Sequence, residues 1–128
     1  MPAEKTRDMI RAQDLESAVA RKNFPVLAQE LSHAPPEALV ALWPTLKPMT
    51  KLAAFKLLSP DRAIALYERL GFDEKYFVFC GFAPASIAPL LEDVPPAERK
   101  IFTELPRWHY DRMLDLLLRE KDAAGGSA

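Results

Sequence analysis

The stretch SPDRAIALYERL (residues 59–70) has a counterpart on each side at a fixed distance. Twenty-four residues earlier stands PPEALVALWPTL (35–46), and twenty-four later APASIAPLLEDV (83–94). With Pro36, Pro60 and Pro84 as registers, Leu42, Leu66 and Leu90 fall six positions on, and Leu46, Leu70 and Val94 ten positions on. Fifteen positions on stand Lys51, Lys75 and Arg99, followed by the apolar pairs Ala53–Ala54, Phe77–Val78 and Ile101–Phe102. A fourth copy begins at Trp108 and sets Leu114 and Leu118 at the same offsets, and a weaker early copy runs from Ala12. Agreement at several offsets in successive copies is the signature of a structural repeat.

Each copy resolves into two helices. In the quoted stretch Ala63, Leu66, Tyr67 and Leu70 follow helical spacing, with Ser59 as N-cap and Pro60 at the first helical position. The second helix of each copy begins near Pro48, Asp73 or Pro96 and runs about ten residues. The chain has 12 Pro at intervals but only 4 Gly, so the prolines read as helix starts. Helices this short are marginal alone and must be stabilised by stacking on neighbours. The expectation is an all-α solenoid of roughly nine short helices between Gln13 and Glu120, built from 24-residue helix pairs.

KYFVFCGF (75–82) has the composition of a strand. The register sets it opposite KLAAFKLL (51–58) and RKIFTELP (99–106), both helical, so it is predicted as a buried helix ended by Gly81. Pro44 and Pro89 fall inside helices and are expected to kink or shorten them.

A chain of 128 residues fits one domain: a flexible segment 1–11, the repeat domain 12–120 and a disordered tail 121–128. The net charge of -1 and pI of about 6.1 carry no basic surplus for nucleic acid. The N-terminus lacks the apolar core of a signal peptide, and no run reaches the roughly 18 apolar residues of a membrane span. One cysteine, Cys80, leaves no internal disulfide and fits a reducing compartment. A soluble, cytoplasmic chain with no membrane insertion is expected.

Little points to catalysis. His33 and His109 lie far apart without further ligands at metal spacing, and each reads as a surface or helix-end histidine. Cys80 sits in an apolar run and reads as a buried structural thiol. Phosphate loops, nucleophile elbows and zinc patterns are missing from the sequence, so no enzyme is expected. Phe72, Tyr76, Phe77, Phe79 and Phe82 read as core, with a docking patch as the alternative. In PRWHYDRM (106–113), Trp108 and Tyr110 read either as a packed capping helix or as a terminal anchor for a partner. Asp61, Glu68, Asp73, Glu74, Glu92, Asp93, Glu98, Glu104, Asp111 and Asp115 recur near helix ends, where first-turn acids complement the helix dipole. Mg2+ often needs only one or two such carboxylates.

KLAAFKLLSPDRAIALYERL (51–70), followed by LLEDVPPAERKIFTELPRWHYDRMLDLL (90–117), resembles the intracellular N domain of the MgtE magnesium transporters in the order and spacing of its phrases, over about Leu39 to Leu117. The resemblance implies a right-handed superhelix serving as a cytoplasmic regulatory module, followed in such transporters by paired CBS domains and a pore. It further implies Mg2+ bound between N and CBS domains, holding a closed state by neutralising facing acidic surfaces. Where that family carries Asp-Pro-Asp-Asp-Arg, this chain has VPPAER (94–99), so only Glu98 and Arg99 keep the chemistry. The metal positions implied are Glu98, with Glu92 and Asp93 as neighbours. With neither CBS pair nor pore in the sequence, the chain is expected to be an excised module or a stand-alone relative. The alternative reading is a helical adaptor that binds a protein partner without Mg2+.

Overall fold

The computed structural model describes residues 11–92, 94–103 and 106–125, apart from the side chains of residues 84, 98, 100, 101, 103 and 122–125. The helices are α1 (Ala12–Ala20), α2 (Phe24–Ser32), α3 (Pro36–Leu42), α4 (Pro48–Leu57), α5 (Pro60–Arg69), α6 (Phe72–Gly81), α7 (Pro84–Leu91), α8 (Pro96–Thr103) and α9 (Arg107–Gly125). A 3-10 turn at Trp43–Thr45 follows α3. There is no strand among the described residues.

Helix starts at Ala12, Phe24, Pro36, Pro48, Pro60, Phe72, Pro84 and Pro96 are spaced by 12, so the 24-residue repeat is a helix pair of equal halves. Proline opens five of these helices, where its missing N–H costs nothing. Ser59 holds the N-cap position of α5, although its side chain makes no capping bond. Pro44 lies in the 3-10 turn that ends α3, whereas Pro89 is accommodated inside α7.

The core is one cluster in which α4 is the hub. Leu52, Ala53, Ala54 and Phe55 are fully buried, and α4 packs against α1, α2, α6, α7 and α8. α3 lies on α5, and α9 lies across α5 and α6. Phe24 of α2 meets Phe102 of α8 edge to face at 4.7 Å, which joins distant parts of the chain. Gly81 permits the close approach of α6 to α4: a Cβ there would collide with the Leu52 side chain.

The basic residues of the repeat have a structural task. The Lys75 ammonium, 1 % exposed, donates to the carbonyls of Glu68 (3.3 Å) and Leu70 at the end of α5. Arg99, one repeat later, donates from Nε to the Val94 carbonyl at 2.7 Å. Leu70 and Val94 occupy the same register, so both cations cap the C-terminal end of the preceding segment, where the helix dipole favours positive charge. Lys51, one repeat earlier, instead pairs with Glu74 at 2.9 Å. Two further side chains cap helices across the fold. Arg62 donates to the carbonyls of Leu31, Ser32 and Ala34 beyond α2, and Glu16 accepts from the Lys47 N–H (2.7 Å) and the Thr50 hydroxyl at the start of α4.

The strand-like segment 75–82 is helical as far as Gly81, as the register requires, but only one side of it is buried. Cys80 is exposed, which corrects the expectation of a buried thiol. At 100° per residue it stands some 200° round the helix from buried Val78, and Tyr76 is 55 % exposed. α9 continues to Gly125, beyond the boundary expected at Glu120, through the helix-favouring run KDAA before the glycines. The expected flexible residues 1–10 and the last three residues lie outside the described ones.

Candidate functional site

The α5–α9 junction brings together residues about fifty positions apart. Asp61 stands in the first turn of α5, because that turn follows the Pro60 helix start, and Ile64 lies one turn on. Trp108, Asp111, Arg112 and Asp115 come from α9, where spacings of three and four place them along one side. Together they line an open cleft of about 570 Å³.

Trp108 is 54 % exposed at this cleft. Its indole stacks on the His109 ring, with centroids 5.2 Å apart and planes 15° off parallel. Asp115 accepts from Arg112 at 3.2 Å and Arg119 at 3.1 Å, and Arg112 also lies 3.6 Å from Glu68. Asp111 faces Arg107 at 3.9 Å, while Asp61 forms no ion pair among the described residues. The charges nearly balance, and the group exposed for contact is an indole edged by carboxylates.

Trp108 and Tyr110 do not form one anchor. Two helical steps separate them by about 200°, so Trp108 faces outward while Tyr110 packs edge to face on Phe79 at 5.8 Å. Burial pushes the Tyr110 hydroxyl pKa up. His109, between them, is buried against Phe55 at 5.5 Å, and its Nε2 finds no hydrogen-bond partner among the described residues. Burial, and to a lesser degree the Lys56 charge, lowers its pKa. It is therefore a helix-end histidine, but a core one; His33, by contrast, is exposed at the end of α2.

A smaller cleft of about 260 Å³ lies between α4 and α6, lined by Met49, Leu52, Asp73, Tyr76, Phe77 and Cys80. The aromatic set on this helix divides: Phe82 is core, Phe72, Phe77 and Phe79 are half-buried, and Tyr76 faces solvent.

Of the implied metal positions, Glu92 is exposed at the end of α7. Asp93 and the side chain of Glu98 lie outside the described residues. Among the described residues no group of three or more His, Cys, Asp or Glu is arranged to hold a metal ion. No helix of the described chain is long and apolar enough to cross a membrane.

Asp61, Asp111 and Asp115 were visible in the sequence only as members of a scattered acidic set. Their convergence depends on how α9 crosses α5, for which no local pattern exists. No protein-family model, curated protein or solved structure matches the chain at a significant level.

Proposed function

We propose that the chain is a non-catalytic regulatory module of the kind the MgtE N domain represents, a superhelix of stacked helix pairs that works by docking on another domain. The observation that carries the docking is Trp108, half-exposed beside Asp61 and Asp111 at the rim of an open cleft. Tryptophan is costly to leave in water and is enriched at the centres of interfaces. Buried Lys75 and the partly buried Arg99, Arg62 and Glu16 serve helix ends, so their chemistry is absorbed by the fold.

In the ion-responsive form of this reading the partner is a CBS-type or transporter domain, and the module acts in the cytoplasm at the inner face of the membrane. Mg2+ would join carboxylates of the two surfaces, supplied here by Glu98 with Glu92 and Asp93, and would favour the compact arrangement by its higher affinity for it. A stand-alone adaptor is the second reading. It is favoured by the exposed apolar groups Leu114, Leu118 and Trp108, which need no ion to bind a protein.

A Mg2+ titration of the chain followed by amide NMR, at ionic strength matched with NaCl, separates the two. Saturable shifts clustered at Glu92, Asp93 and Glu98, and lost in Glu98→Ala, support the ion-responsive module. Shifts no larger than those of the salt control remove ion binding from the isolated chain. Partner capture that ignores Mg2+ and is lost in Trp108→Ala then supports the adaptor.

A further inference from the structure

The outer face of α9 carries a pattern that the core does not use and of which the helix itself uses only the Arg107–Asp111 pair at 3.9 Å. Arg107, Asp111, Leu114, Leu118 and Lys121 recur at alternating steps of four and three, the spacing of a heptad seam. The inner face of the same helix is taken by His109, Met113 and Leu117, which are buried on the rest of the fold. The seam points away from them: Leu114 is 40 % and Leu118 49 % exposed, and Asp111, Arg107 and Lys121 are exposed too.

We propose that this face pairs with a second copy of the chain, α9 against α9 in antiparallel orientation about a twofold axis passing near Leu116. The order of charges along the seam carries the choice of occupant. About that axis Leu114 faces the second copy's Leu118, and Asp111 faces the second copy's Lys121. Both leucine layers therefore lie at the centre, with one ion pair on either side. The seam is self-complementary, as a twofold interface requires. Parallel pairing in register would instead oppose Asp111 to Asp111 and Lys121 to Lys121, which is repulsive. Within one helix Asp111 and Lys121 are ten positions and about 15 Å apart, so they cannot serve each other. Four leucines make a small apolar centre, and the association is weak, with a dissociation constant on the order of 10–1000 µM. The seam shares Asp111, Leu114 and Leu118 with the docking face proposed above and leaves only the Trp108 ring outside it. The test below uses the chain alone, so that either proposal can fail without the other.

Sedimentation equilibrium of the full chain, from about 10 µM to about 1 mM, tests it. The apparent mass is expected to rise from 14.4 kDa towards twice that value with concentration. Leu118→Glu is expected to hold it at the monomer mass with an unchanged circular dichroism spectrum, because the side chain is half in water already. Asp111→Lys and Lys121→Glu are each expected to weaken association about tenfold, since both symmetry-related pairs turn repulsive together. The double variant restores it, because the exchanged charges meet again across the axis. A wild-type chain that stays monomeric throughout overturns the proposal, and so does association that ignores Leu118→Glu or a double variant no better than the singles.

Discussion

Tyr67 and Lys75 hold each other in both directions. The Tyr67 hydroxyl donates to the Lys75 carbonyl at 3.1 Å, and the Lys75 ammonium stands 5.9 Å from the centroid of the Tyr67 ring. Because Tyr67 lies on α5 and Lys75 on α6, the pair locks one helix hairpin at its turn. Burial, with the neighbouring Cys80 as a smaller cause, pushes the Tyr67 hydroxyl well above the usual tyrosine range, so it stays a donor at any physiological pH.

Lys75→Met removes the cation and keeps the length of the side chain. The carbonyls of Glu68 and Leu70 lose a buried donor, a loss of about 1–3 kcal/mol for an unsatisfied acceptor. Urea denaturation is expected to show that decrease. Glu120→Gln, which alters the 3.4 Å contact from a carboxylate 41 % exposed, is expected to stay within about 0.5 kcal/mol. A Lys75→Met chain as stable as the wild type would remove the capping role.

Gly81→Ala tests the approach of α6 to α4. Alanine is the better helix former, yet its methyl would meet Leu52, which is fully buried and has its Cγ within 3.1 Å of the new atom. Turning Leu52 about its Cβ–Cγ bond leaves that contact in place, and a turn about Cα–Cβ would drive a fully buried side chain into its neighbours. Overpacking therefore wins, and a loss of about 1–3 kcal/mol is expected. Gly71→Ala is the control. No atom lies within 4 Å of its new methyl, and the melting temperature should barely change.

His109 makes stability depend on pH. Its folded-state pKa is lowered, so the unfolded chain binds the proton more readily. The contribution is fully present above the unfolded value of about 6.5 and is lost as pH falls from there through the folded value. The slope approaches, at most, about 1.4 kcal/mol per pH unit. Thermal melts between neutral pH and about pH 5 should show it. His109→Phe, which keeps the ring against Phe55 and removes the unpartnered Nε2, should flatten the difference; an unchanged slope would assign it to other groups.

The repeat made the helices readable, with starts at Pro36, Pro48, Pro60, Pro84 and Pro96, because proline and apolar spacing are local signals, whereas the even 12-residue spacing of all the starts emerges only in the structure. It also marked Lys51, Lys75 and Arg99 as equivalent without revealing that two of them cap the preceding segment or that Lys75 is fully buried. Basic residues in a repeat look the same on a solvated face as over a helix end, and only the packing of α9 and α6 on α5 buries Lys75. The faces of α6 were unreadable for another reason. YFVFC is apolar all round, so nothing in it distinguished Val78, which is buried, from Cys80, which is not. The separation of Trp108 from Tyr110, by contrast, follows from helical geometry once both residues lie on one helix. The cleft itself joins residues from opposite ends of a superposition of helices, and no short pattern encodes such a crossing.

The contact between Phe24 and Phe102 has a consequence for biosynthesis. Seventy-eight residues separate these rings, and closing a loop of that size carries an entropic cost that local helix pairs never meet. As the chain leaves the ribosome, α1 to α4 can collapse on one another early, but Phe24 keeps an uncovered edge until α8 has been made. The nascent molecule thus passes through an interval in which its first half is compact yet sticky, and its solubility during that interval depends on how quickly the second half follows.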